Sequence, residues 1–169
     1  FIINWIFKLK TMIKANYSDK ELVLDILCKS FDSNKSVNYV VKQDENRQKR
    51  IRNLMEYSYE ICSMFGQVYL SDDKKACALT LFPDKKRTSL KSIFLDAKMA
   101  ISCVGIDRVS KVLDRDSKIK KSYPNDQILY LWFIGVNHEE KKKGIGSNLL
   151  KDIIKESTLS KRPIYLETS

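Results

Sequence analysis

Apolar positions recur along this chain with two periods, and their alternation predicts an α/β protein. Residues 129–136, LYLWFIGV, are almost all β-branched, aromatic or aliphatic and read as a buried strand. Ile145, Leu149, Leu150, Ile153 and Ile154 follow at helical spacing. Upstream, Leu22, Val23, Ile26 and Leu27 predict a helix over 19–30. Ile51, Leu54, Met55, Cys62 and Phe65 predict a second helix, capped by Asp44 or Asn46 and ended by Gly66. Residues 67–70 and 76–82 read as a hairpin around Ser-Asp-Asp-Lys, broken by Pro83-Asp84, and residues 13–16 as a short first strand.

The segment 89–123 is helical by the same criterion. Leu90, Ile93, Phe94, Ala97, Ile101 and Val104 share one face, Gly105 and Asp107 interrupt, and Val109, Val112, Leu113 and Ile119 mark a more charged helix over 108–121. Two ordinary packing helices explain this pattern; a helical lid over a pocket is the functional alternative.

The chemistry concentrates between the buried strand and the helix after it. Gly144 and Gly146 open that helix, and Lys141, Lys142 and Lys143 stand just before them. A helix start offers unpaired N–H groups and positive dipole charge, and glycine lets a ligand approach the backbone: a pyrophosphate cradle. No Gly-x-x-x-x-Gly-Lys-Ser/Thr string exists here. In a dinucleotide fingerprint the third glycine would fall at Leu149, and the seven residues between Val136 and Gly144 are too many for its tight turn.

Composition narrows the class. The chain has 169 residues, enough for one domain with a core, and its 43% hydrophobic and 31% charged content suits a soluble globular protein. A net charge of +10 suits a polyanion such as coenzyme A, and equally nucleic acid, although the lysines are scattered and form no nucleic-acid motif. Cys28, Cys62, Cys77 and Cys103 are far apart and His138 is the sole histidine, so no metal site is expected and the cysteines read as reduced core residues of a cytoplasmic protein.

The string Lys141-x-x-Gly144-x-Gly146 after a strand and before a helix resembles motif A of the GCN5-related N-acetyltransferase (GNAT) superfamily. Arg162-Pro-Ile-Tyr-Leu-Glu-Thr-Ser169 resembles the fifth strand of that fold, with the flavour of the puromycin-acetyltransferase-like branch. Lys141 stands where the family prefers Arg or Gln, and His138 where proline is usual; lysine keeps the charge without arginine's planar fork. The resemblance implies a GNAT α/β fold, a mixed central sheet flanked by helices, over 12–169 with a helical insertion at 89–123. It implies a chain that lacks the family's last helix and strands, since it stops at Ser169, where that segment should begin. Residues 1–11, apolar but too short to span a bilayer, read as upstream sequence or a membrane-adhering, tag-like extension before Met12.

The resemblance also implies direct acetyl transfer from acetyl-CoA, the acyl donor substrate, to a small-molecule amine, with no metal. Lys141, Lys142, Lys143, Gly144, Ile145, Gly146 and Ser147 would hold the pyrophosphate. Ile134, Gly135 and Val136 would pair with the pantetheine arm, Gly135 suiting a bulge that leaves room for it, and a strand N–H would stabilise the oxyanion. Glu167 is the candidate general base, His138 is expected near the cofactor, and the family's tyrosine acid would lie beyond Ser169. Tyr39 lies where acceptor loops occur, and of Tyr130, Trp132 and Phe133 the pattern does not say which faces the cleft. Two other classes stay open: a catalytically inactive CoA-binding sensor and a basic nucleic-acid binder. The expected partners are the amine acceptor alone, with no nucleic acid and no membrane, on a monomer or homodimer.

Overall fold

The computed structural model describes residues 12–105, 108–121, 123 and 127–168; the extension 1–11, Asp107 and Ser169 lie outside them. Strands β1 (Met12–Lys14), β2 (Gly66–Ser71), β3 (Ala76–Leu81), β4 (Leu129–Val136) and β5 (Ile164–Leu166) lie side by side in chain order. The first four are antiparallel, while β5 runs parallel to β4. The β2–β3 turn is held by the Ser71 hydroxyl, which accepts from the Lys75 and Ala76 amides and donates to Asp73. Gly66 begins β2 because the backbones nearly touch there: a Cβ would sit 1.9 Å from the Thr80 carbonyl oxygen.

Helices α1 (Lys20–Phe31) and α3 (Arg47–Phe65) cover one face of the sheet and α6 (Ile145–Leu159) the other. Val23, Leu27, Ile51, Met55 and Cys62 meet Leu70, Leu79 and Phe133 on the first face. Leu149 and Ile153 meet Tyr69, Ala78, Leu129 and Leu131 on the second. Between the helices of the first face lies α2 (Lys35–Val40), and between β3 and β4 lie α4 (Leu90–Met99), a π-helical turn (Ala100–Val104) and α5 (Val109–Lys121).

The structure corrects the sequence reading at several points. A short helix, α2, occupies what read as a loop; Asn34 caps it by accepting from the Val37 amide. Within α1, Leu24 is buried and Leu22 exposed. Asn46 precedes α3 without a capping side chain, and the Asp44 carboxylate instead accepts from the Asn46 amide and from Arg50. The largest reversal is in α4, whose apolar stripe faces solvent, while Ser92 and Leu95 are buried.

The bulge in β4 also lies elsewhere than expected. Leu79 pairs with Phe133 and Thr80 with Leu131, so the extra residue is Trp132 and not Gly135. That insertion resets the side-chain alternation. Leu129, Leu131, Ile134 and Val136 pack on the α6 side, whereas Tyr130, Trp132 and Phe133 all pack on the α1 and α3 side. Trp132 and Phe133 thereby stack, ring centroids 5.7 Å apart. Gly135 is glycine for helix packing, since a Cβ there would meet Ser30, Leu27 and Ile26 of α1 at 3.1–3.3 Å.

Candidate active site

β4 is the axis of the site. β5 pairs with it only at Leu129, Leu131 and the residue between, so from Trp132 onward that edge of β4 has no strand beside it among the described residues. The Asn137 amide bonds the Lys75 carbonyl on the β3 side. Antiparallel alternation then turns the Gly135 backbone toward β3 as well, and the backbones of Ile134 and Val136 toward the open edge. The Ser30 hydroxyl donates to the Val136 carbonyl at 2.9 Å, which anchors the end of the strand to α1.

Beyond β4 the chain makes a short 3-10 turn (His138–Glu140) and enters α6 through the lysine–glycine loop. Lys142 and Gly144 both have positive φ, 66° and 78°, and Gly144 is the residue before the first helical turn. No side chain caps that turn, so its amides are left to an outside acceptor. The space around Gly144 is open, with nothing within 4 Å of a built Cβ. Gly146 differs: a Cβ there would lie 2.8 Å from Val136 Cγ2, so this glycine lets α6 start directly against the end of β4. Loop, helix start and open strand edge therefore meet at one place.

Of the three lysines, Lys143 is paired with Glu140 at 2.9 Å, and Lys75 holds the same carboxylate at 3.0 Å. Hydrogen bonds from Lys143 and Lys75 keep the Glu140 carboxyl below its ordinary value. Lys141 and Lys142 have no ion-pair partner among the described residues and remain exposed. Ser147 is exposed on the first turn and Ile145 half-buried against the second core.

A cavity of about 900 Å³ lies on the α1 and α3 side of the sheet. Tyr130, Trp132 and Phe133 form its floor, Phe31 and Tyr57 its side, and α4 and α5 its roof. Glu167, just past β5, lines it and accepts a hydrogen bond from the Tyr130 hydroxyl at 2.7 Å. Burial, then that hydrogen bond and the charge of Glu167, raise the Tyr130 phenol so that it stays protonated. A second tyrosine–carboxylate pair faces the same space: Tyr57 donates to Asp96 at 2.6 Å, and burial followed by that bond raises its phenol too. Sequence reading missed Tyr57, Asp96 and the partner role of Tyr130, because each depends on elements far apart in the chain.

The roof is fastened unevenly. Lys91 and Lys98 of α4 reach Glu60 and Glu56 of α3, and these two carboxylates also hold Lys20 of α1 at 2.9 and 3.0 Å. α5 has no buried residue and is tied to α2 through Arg115, which donates to Ser36 and lies 5.2 Å over the Tyr39 ring. Tyr39 is thus a strap for the roof, outside the cavity lining.

A second hollow of about 590 Å³ lies between the end of α1 and the turn after β4, lined by Cys28, Ser30, His138 and Lys141 among others. His138 therefore lies beside the loop and is not among the residues that line the larger cavity with Glu167. Burial pushes the Cys28 thiol up to about 11, contrary to what a nucleophilic cysteine needs. All four cysteines are free, and no group of metal-ligating side chains occurs among the described residues.

No protein-family model and no curated protein sequence matches the chain. Solved structures do. A histone acetyltransferase HPA2 and related acetyltransferase from Corynebacterium glutamicum superposes with TM-score 0.65 at 18% identity, over 94% of this chain and 76% of that one. The C-terminal condensation domain of Ebony, in complex with β-alanyl-dopamine, gives 0.65 at 11% identity over 94% and 75%. A candidate acetyltransferase from Pyrococcus horikoshii gives 0.58 at 14% identity over 94% and 80%. At these identities the likeness establishes architecture: this chain has the mixed α/β fold of GNAT acetyltransferases.

Proposed function

We propose that this protein is an acetyl-CoA-dependent N-acetyltransferase that transfers the acetyl group directly to a small-molecule amine. One observation carries the reading: the uncapped glycine-rich helix start and the open edge of β4 meet a carboxylate-bearing cavity through a single strand. The fit to acetyl-CoA is chemical. Amides from Lys143 to Ser147 and the charges of Lys141 and Lys142 match a pyrophosphate. The outward backbones of Ile134 and Val136 match the amides of a pantetheine arm laid along the edge as an added strand. Gly135 serves this by admitting α1 behind the strand, not by contacting the arm.

When bound, acetyl-CoA supplies the thioester carbonyl that the amine attacks. Glu167 accepts the proton of the incoming ammonium, directly or through water, and Tyr130 positions the carboxylate by donating to one of its oxygens. A β4 amide at Ile134 or Val136 stabilises the oxyanion of the tetrahedral intermediate, which collapses by breaking the C–S bond; the departing CoA thiolate takes the second proton from the nitrogen, directly or through water. The aromatic floor favours an amine with an apolar or aromatic body. The Ebony domain, solved in complex with β-alanyl-dopamine, is compatible with that choice. α4 and α5 act as the lid that sets acceptor size.

Calorimetry with acetyl-CoA and thiol release with a panel of amines test the reading together. Gly146→Asp should abolish binding, because it adds both a clash and a negative charge at the cradle. Glu167→Gln should retain binding and lose about 10²–10⁴-fold in turnover. Binding without thiol release by any amine would assign the chain to the CoA-sensor class. Absence of binding by a cooperatively melting chain would sink the proposal.

A further inference from the structure

Leu90, Ile93, Phe94 and Ala97 form a row within about 100° of the α4 helix surface, Ile101 of the π-helical turn continues it, and the row points outward. Leu90 is 89% exposed, Phe94 67%, Ile101 64% and Ile93 53%. Scattered exposed apolar side chains are ordinary, but a contiguous row rimmed by polar groups marks a contact surface. The helix cannot roll the row inward without losing its present anchors. Ser92 and Leu95 are buried, Asp96 accepts from Tyr57, and Lys91 and Lys98 bind Glu60 and Glu56.

The segment that carries the row is predominantly basic, although Glu60 and Glu56 of α3 neutralise Lys91 and Lys98. Residues 85–105 contain the cations Lys85, Lys86, Arg87, Lys91 and Lys98 and a single carboxylate, Asp96, already engaged by Tyr57. Lys86 and Arg87 are exposed, stand just before the first turn of α4, and have no ion-pair partner among the described residues. The whole chain carries +10. A second copy docking face to face would bring like charges together, whereas an anionic lipid surface satisfies the apolar row and the basic flank at once.

We infer that the outer face of α4 binds anionic membrane surfaces, the row from Leu90 to Ile101 entering the headgroup boundary and Lys86 and Arg87 meeting lipid phosphates. No described helix is long and apolar enough to cross a membrane, and lying on one requires no crossing. The sequence-based expectation of no membrane partner considered residues 1–11, as a span or an adhering tag, and not the outer face of α4. The inference stands apart from acyl transfer, since the apolar row lies on the face of the helix opposite the one that roofs the cavity; Lys86 borders both.

The test is cosedimentation of the 169-residue chain with vesicles of phosphatidylcholine alone or mixed with phosphatidylglycerol. Partitioning should be at least about tenfold stronger on the anionic vesicles. It should fall about tenfold or more in Phe94→Asp and in the double variant Lys86→Glu/Arg87→Glu, and fall in the same direction in the uncharged Phe94→Ser. Thermal melting should be unchanged in all three, because these side chains are exposed. Failure of the parent chain to bind anionic vesicles overturns the inference, as does undiminished binding by Phe94→Ser. A dimer in sedimentation velocity that Phe94→Asp disperses assigns the face to a second copy instead, and capture by polyglutamate but not by vesicles assigns it to an acidic protein.

Discussion

α4 and α6 carry apolar stripes of similar spacing, yet α6 buries Leu149 and Ile153 and leaves only Ile154 of its stripe exposed, while α4 turns its stripe to solvent. The difference lies in how each helix is connected. α6 joins two parallel neighbours, β4 and β5, so the crossover must lay it across the sheet. There Leu149 and Ile153 find Tyr69, Ala78, Leu129 and Leu131. α4 lies in the connection between antiparallel neighbours, β3 and β4, and no crossover dictates its face. Polar bonds to α3 choose it instead: two lysines onto two glutamates, and one carboxylate onto a tyrosine. Periodicity identifies a helix; its orientation belongs to its neighbours.

The largest expected effect is in α6. Leu149→Ala should cost about 2–5 kcal/mol in denaturant unfolding, since it empties a fully enclosed site between helix and sheet. A cost below about 1 kcal/mol would mean that α6 is held by something other than its stripe. Next, Gly146→Ala should cost about 1–3 kcal/mol by overpacking Val136, and Val136→Ala in the same chain should recover part of it. Simple additivity of the two losses would break the close-approach explanation.

For α4 the polar anchors should matter more than the apolar row. Glu60→Gln should lower stability by about 1–2 kcal/mol near neutral pH, because it weakens the hold on both Lys20 and Lys91. Burial alone would raise the Glu60 carboxyl, but Lys91 and Lys20 outweigh it and keep it below its ordinary 4.5. A depressed carboxylate stabilises the fold above its unfolded value and loses that contribution as pH falls through the folded value. The gap between parent and variant should therefore be complete above pH 5 and close below the ordinary glutamate range, as read from melts across pH. A gap independent of pH would mean that packing, not charge, is responsible. The smallest effect is Phe94→Ser, within about 0.5 kcal/mol despite the loss of a large apolar side chain. A cost above 1 kcal/mol there would show that the row is an internal contact after all.

Much of the fold was legible in the chain. The buried strand at 129–136 is β4 with the same bounds, the hairpin turn lies at Ser71–Lys74, and the helix after Gly144 begins at Ile145. Local chemistry decides these features: β-branched runs, turn residues and glycine at a positive φ. The lysine–glycine loop and the helix start after it were legible for the same reason, being contiguous in sequence. The bulge at Trp132 was not, because a bulge is a mismatch between two strands and neither strand encodes it alone. Nor was the pairing of Glu167 with Tyr130, 37 residues apart, which follows from the parallel register that places Tyr165 beside Tyr130.

The sequence by itself determined where the strands and the helices other than α2 lie, the contiguous basic and glycine-bearing loop from Lys141 to Ser147, and Glu167 as a carboxylate worth testing. Tertiary structure alone decided which side of β4 holds the aromatic floor, what Gly135 and Gly146 make room for, and which face of α4 meets solvent. Propensity and periodicity act over a few residues and can be read one segment at a time. Face, register and cavity are relations between segments, settled by whichever packing satisfies every buried group together.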